Sequence, residues 1–178
     1  MSAYIALLRA VNLPGHNKVG MADLRELIAA LGFTDGQSLL QSGNLIFKST
    51  TGTSAQHERR LEDGARKRLD LETDFLVRSS ADWKRIVAGN PFPREALDDP
   101  GHLVLMCLKS TPGREQVTSL QRAIKGRETV QVKGREGYIV YPDGIGRSKL
   151  TTALIEKCLG TSGTGRNWNT VLKLAAMV

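Results

Sequence analysis

From Tyr4 to Val11 the chain is apolar at every position but Arg9, the pattern of a central strand covered on both faces. The next segment, Asn12 to Gly20, is rich in turn formers and reads as a loop. Met21 to Leu31 places Leu24, Leu27, Ile28 and Leu31 on one helical face and stops at Gly32. Gln37 to Gln41 and Leu45 to Ser49 read as two strands joined by Ser42-Gly43-Asn44. A charged surface helix over 54–69 and a strand from Thr73 to Arg78 complete a βαββαβ order.

That order recurs in outline. After a helix carrying Trp83, Ile86 and Val87 come a strand (His102 to Lys109), a helix (Gly113 to Ile124) and a hairpin (Thr129 to Lys133 with Gly137 to Tyr141). Helices from Lys149 to Leu159 and at the C-terminus follow. The expected fold is α+β, two ferredoxin-like βαββα units in tandem with an extra C-terminal helix, divided as 1–79 and 80–178. No residue-level repeat joins the halves, so the duplication is one of topology.

Composition changes this picture little. Of 178 residues 40% are hydrophobic and 24% charged, the balance of a folded globular chain. The first residues lack the basic start and cleavage site of a secretory signal, and no apolar run is long enough to span a bilayer. A cytoplasmic protein with no membrane partner is expected. Cys107 and Cys158 have no Cys or His at ligand spacing, so neither a metal site nor a cofactor is expected. Charge is uneven: residues 1–108 carry 13 Lys and Arg against 13 Asp and Glu, residues 109–178 carry 12 against 5. An acidic partner is favoured there, against the alternative of a basic face that serves solubility alone.

In a split βαβ plait the end of strand one, the start of helix one and the hairpin between strands two and three emerge at one sheet edge. Arg9, Asn12, His16, Asn17 and Lys18 lie on one side of that edge, and Gln41, Ser42, Gly43 and Asn44 on the other. Arg9 is a charge at the end of an apolar strand and needs a counterion or a ligand. Asn12, Asn17 and Asn44 equally suit turns. A second constellation is G-x-G-R-x-x-x-T, present from Gly144 to Thr151 and again from Gly163 to Thr170. Each copy runs into a predicted helix. Arg147, Ser148 and Lys149 in the first copy, and Arg166, Asn167 and Trp168 in the second, would offer guanidinium forks, caps and helix N-termini to an anion. The spacing is that of neither a P-loop nor a dinucleotide fingerprint.

Together Arg9-Ala-Val-Asn12, His16-Asn17-Lys18, Gln41-Ser42-Gly43-Asn44, the run from Tyr141 to Leu150, Thr164-Gly-Arg166-Asn167-Trp168-Asn169-Thr170 and Asn90-Pro91-Phe92 resemble the domain of unknown function family 1697. The resemblance extends over essentially the whole chain. One departure is Leu13-Pro14-Gly15, where that family usually has two glycines before His-Asn. The resemblance implies a ferredoxin-like fold in a bacterial cytoplasmic protein and implies no activity.

Three functions follow as expectations. The first is binding of a phosphorylated or nucleotide-like anionic small molecule at Arg147, Lys149 and Arg166, with Asn167 and Trp168 shaping the site. The second is hydrolysis of phosphate esters or acyl phosphates with Arg9 and Asn44 in the leading roles, an analogy of fold. Nucleic-acid binding ranks last, because strand three offers only Phe47 as a stacking aromatic.

Overall fold

The structure, a computed structural model, describes residues 1–14 and 18–178. Two compact units are present: residues 1–85 together with 174–178, and residues 86–173.

The first unit runs β1 (Ser2–Leu8), α1 (Met21–Ala30), β2 (Thr34–Leu39), β3 (Asn44–Ser49), α2 (Ser54–Leu69), β4 (Phe75–Ser79) and α3 (Ser80–Ala88), the last helix ending in residues of the second unit. Its sheet has the order β2-β3-β1-β4 with every pair antiparallel, the ferredoxin-like plait. Alternation along β1 turns Tyr4, Ala6 and Leu8 into a core with Leu24, Leu27 and Ile28 of α1 and Leu61 and Ala65 of α2. Ile5 and Leu7, on the other face of the strand, are buried too, as the unbroken apolar run predicts.

In the second unit α4 (Pro93–Asp98), β5 (Leu103–Leu108), α5 (Arg114–Ala123), β6 (Thr129–Lys133), β7 (Glu136–Val140), α6 (Thr152–Leu159) and β8 (Gly163–Asn167) precede α7 (Trp168–Ala175). The sheet order β6-β7-β5-β8 repeats the first. Its core joins Val104, Met106 and Leu108 to Leu120, Ile155 and Leu159. The repetition reaches individual bonds. Leu8 N–H donates to Gly43 O at 2.8 Å and Arg9 N–H to Asp74 O at 3.0 Å; Leu108 N–H donates to Arg135 O at 2.8 Å and Lys109 N–H to Ser162 O at 2.9 Å.

Three elements differ from the sequence expectation, among them the short helix α4, which it does not include. β2 begins at Thr34 and shifts register between Thr34 and Gln37, where Asp35 takes a left-handed φ of 53°; this bulged stretch has no apolar alternation to announce it. The second Gly-Arg copy is itself a strand, β8, because β5 supplies its backbone partners through Leu108↔Gly163 to Val104↔Asn167.

Open strand edges attract other chains, and here they are treated unequally. On β4, Phe75 N–H donates to Glu62 Oε1 at 3.0 Å and Val77 N–H to Glu58 Oε1 at 2.9 Å. Four helical residues advance about 6 Å and two strand residues about 6.6 Å, so glutamates four apart on α2 match amides two apart on β4. Glu156 of α6 accepts from Gly163 N–H of β8 at 2.9 Å in the same manner. Edge strand β2 is interrupted by its bulge. Edge strand β6 is regular, pairing β7 from Thr129↔Val140 to Lys133↔Glu136 without a shift. Among the described residues no helix is long and apolar enough to cross a membrane.

Candidate functional site

Of the first constellation, Asn12, Gln41, Ser42, Gly43 and Asn44 are engaged in holding backbone. Asn12, at φ 55°, accepts from Val19 N–H at 2.9 Å and donates to Val19 O at 3.0 Å and Gln41 O at 2.9 Å. Asn44, fully buried, donates to Leu39 O at 2.7 Å and Ser42 Oγ at 2.9 Å. Lys18 is exposed, while His16 and Asn17 lie outside the described residues. Arg9 lines an open cleft of about 450 Å³ with Glu62, Asp63, Arg66, Glu72, Thr73 and Asp74. Four carboxylates against two guanidiniums make that field unfavourable for an anion.

The second constellation is divided by burial. Arg147 closes a short 3₁₀ turn, Ile145–Arg147, and is exposed together with Lys149. The turn is held at both ends. Tyr141 OH donates to Leu150 O at 3.1 Å, and burial pushes its phenol up to about 12, so it remains a donor. Ser148 Oγ donates to Glu128 and accepts from Leu150 N–H at 2.9 Å. Arg127 pairs with Asp143 beside the turn, and that bond holds the Asp143 carboxyl below its usual range. Helix α6 begins just beyond, capped by Thr151 through Leu154 N–H at 3.2 Å.

Arg166 lies in β8 opposite Leu105, 8% exposed, with Nη1 donating to Thr164 Oγ1 and Gly165 O, both at 2.8 Å. Desolvation pushes it down to about 10. Trp168 is buried, and Asn167 caps α7 by accepting from Thr170 N–H at 3.0 Å. Because Val140 pairs with Leu103 and Asn167 with Val104, the Arg147 turn and Asn167 leave the sheet at the end where β5 begins. Arg9 stands where β1 finishes; its counterpart by backbone bonding is Lys109, at the other end of the second sheet.

One residue was missed by sequence reasoning. His57 of α2 is fully buried, and neither ring nitrogen has a hydrogen-bond partner among the described residues. The rings of Tyr4, Phe33 and Phe47 meet it edge-on at 4.5, 5.1 and 5.6 Å. Its polar edge faces Gly52, where a Cβ would come within 2.7 Å of Cε1. Only the lone His in a charged helix, followed by Arg59 and Arg60, hints at this from the sequence. Burial first, and Arg60 second, lower its pKa from 6.5. The unfolded chain therefore takes up the proton at higher pH than the folded one. The stabilising effect of neutral His57 is complete above 6.5 and is lost as pH falls through 6.5 to the lower folded value. Urea melts from pH 8 to 5 should show the first unit weakening below about 6.5, and His57→Leu should flatten that component of the slope. An unchanged slope in the variant would refute the assignment.

The family model described as "Protein of unknown function (DUF1697)" matches residues 1–138. Among solved structures, the conserved bacterial protein SP0830 from Streptococcus pneumoniae is similar with a TM-score of 0.76 at 22% identity, over 99% of this chain and 98% of that one. This likeness concerns the fold. No curated protein matches the chain in sequence.

Proposed function

The chain belongs to the DUF1697 family, and from that premise we propose that it is a cytoplasmic binding protein for an anionic small molecule, phosphorylated or nucleotide-like, held at the Arg147–Lys149 turn. One observation carries the reading: two exposed cations sit on a braced turn immediately ahead of a helix N-terminus. The second unit also holds the larger cationic excess, thirteen Lys and Arg against eight Asp and Glu in residues 86–173. Arg166 and Trp168, buried and internally engaged, serve the fold of the unit in this reading and leave the contact to Arg147 and Lys149, with Asn167 at the same sheet end.

Hydrolysis through Arg9 and Asn44 has less support, since the Arg9 cleft is rich in carboxylates and the Asn44 amide holds the hairpin. Nucleic-acid stacking on strands one and three would need Tyr4 and Phe47, which are buried.

Thermal-shift and calorimetric titration with pyrophosphate, nucleoside diphosphates and sugar phosphates should show saturable binding that weakens with salt. Arg147→Ala with Lys149→Ala should lower affinity roughly tenfold or more, the scale of two partly exposed charge-assisted contacts. Retention of full affinity by the double variant would remove the turn from the reading.

A further inference from the structure

We propose that the open edge of β6 is a docking site for an extended, acidic peptide segment of another protein, which adds a strand to the second sheet. Backbone bonding shows which groups are available. Leu108 N–H donates to Arg135 O, so Arg135, Gly137 and Ile139 turn their backbone groups towards β5. Glu136, Tyr138 and Val140, the alternate residues, turn theirs towards β6. Their partners Lys133, Gln131 and Thr129 spend their amides and carbonyls inside the hairpin. Those of Val130 and Val132 therefore face outward, where the sheet has no further strand among the described residues.

The other edges are guarded: glutamates accept from strand amides on β4 and β8, and a bulge breaks β2. β6 has neither device. Beside it runs a groove of about 550 Å³ lined by Phe92, Val117, Gln121 and Thr129 to Val132. Phe92 and Val117 are half-buried, giving apolar footing to every second side chain of an added strand. Phe92 closes the Asn90-Pro91-Phe92 motif, and Asn90 fixes it by accepting from Phe92 N–H at 3.0 Å. Five residues of β6 offer about 17 Å of pairing length.

Charge selects the occupant. Val117 and Gln121 are one turn apart on α5, and Arg114 extends that row by a further turn. Arg122 and Lys125 follow at the helix end. All three cations are exposed and have no carboxylate partner among the described residues. Of the carboxylates in this part of the chain, Glu128 is engaged by Ser148 and Asp143 by Arg127, and Glu115 of α5 is exposed, so the three cations outnumber the one free acid on the helix. A basic edge also repels a second copy of itself, which disfavours edge-to-edge pairing of this chain with itself.

The test uses the full chain and a fluorescein-labelled heptapeptide alternating Glu and Val, read by anisotropy at low and moderate salt. Saturable binding is expected, with little for the Lys and Val counterpart. N-methylation of alternate residues should weaken binding roughly tenfold in one phase, where the amides meet β6, and have little effect in the other. Arg122→Glu with Lys125→Glu should weaken it without changing the circular dichroism spectrum. The Arg147→Ala and Lys149→Ala variant should bind the peptide unchanged, which separates this surface from the anion turn. Absence of binding, equal binding of the Lys peptide, or indifference to N-methylation in both phases would overturn the proposal. So would self-association in ultracentrifugation that competes with the peptide, since a second copy would then own the edge.

Discussion

Glu58→Leu is expected to destabilise the first unit by about 3–5 kcal/mol. Glu58 is 5% exposed and Arg78 2%, with Arg78 Nη1 standing 3.8 Å from Glu58 Oε1 and 3.0 Å from Val77 O. That same carboxylate oxygen accepts the Val77 amide of β4. Leucine would take away the counter-charge of a buried guanidinium and the acceptor of an edge amide in one step. Glu58→Gln keeps an acceptor for Val77 and loses only the charge, so its effect should fall between leucine and the natural residue. Urea unfolding followed by circular dichroism measures both, and hydrogen exchange should place the loss at β4. Equal midpoints for Glu58→Leu and the unmodified chain would show that the pair contributes nothing.

Gly43→Ala should lower stability by about 2–4 kcal/mol, combining a left-handed backbone with overpacking. Gly43 has φ 75°, and a Cβ there would come within 2.8 Å of both Leu8 Cβ and Val11 Cγ2. Neither neighbour can withdraw easily, because Leu8 is in the core and its amide donates to Gly43 O. Relief would require the hairpin to leave β1. The prediction is a lower melting temperature with early loss of protection at Leu8; a variant that melts with the unmodified chain would contradict it.

The elements legible in the sequence are those whose own residues carry the pattern. β1 and β5 announce themselves as apolar runs, and α1 by Leu24, Leu27 and Ile28 at helical spacing, all three buried. β8 does not, since Gly-Thr-Gly-Arg-Asn has no alternation and is made a strand by bonds from β5 and Glu156. The same division holds at the candidate sites. That Asn12 and Gln41 meet follows from topology, and they do meet. That the Arg9 cleft is acidic depends on Glu62, Glu72 and Asp74, more than fifty residues away in the chain, so nothing local signals it. His57 is hidden for the same reason: its aromatic surroundings come from β1, β3 and the residue before β2.

The matched bonds at Leu8 and Leu108 have a further consequence. Each joins one main-chain amide to one main-chain carbonyl, and every amino acid but proline supplies both. A duplication preserved in such bonds places almost no demand on side-chain identity. The two halves are thereby free to differ in sequence, one carrying the larger cationic excess, while the architecture stays the same. Comparison of letters misses this likeness, and comparison of hydrogen-bond ladders finds it.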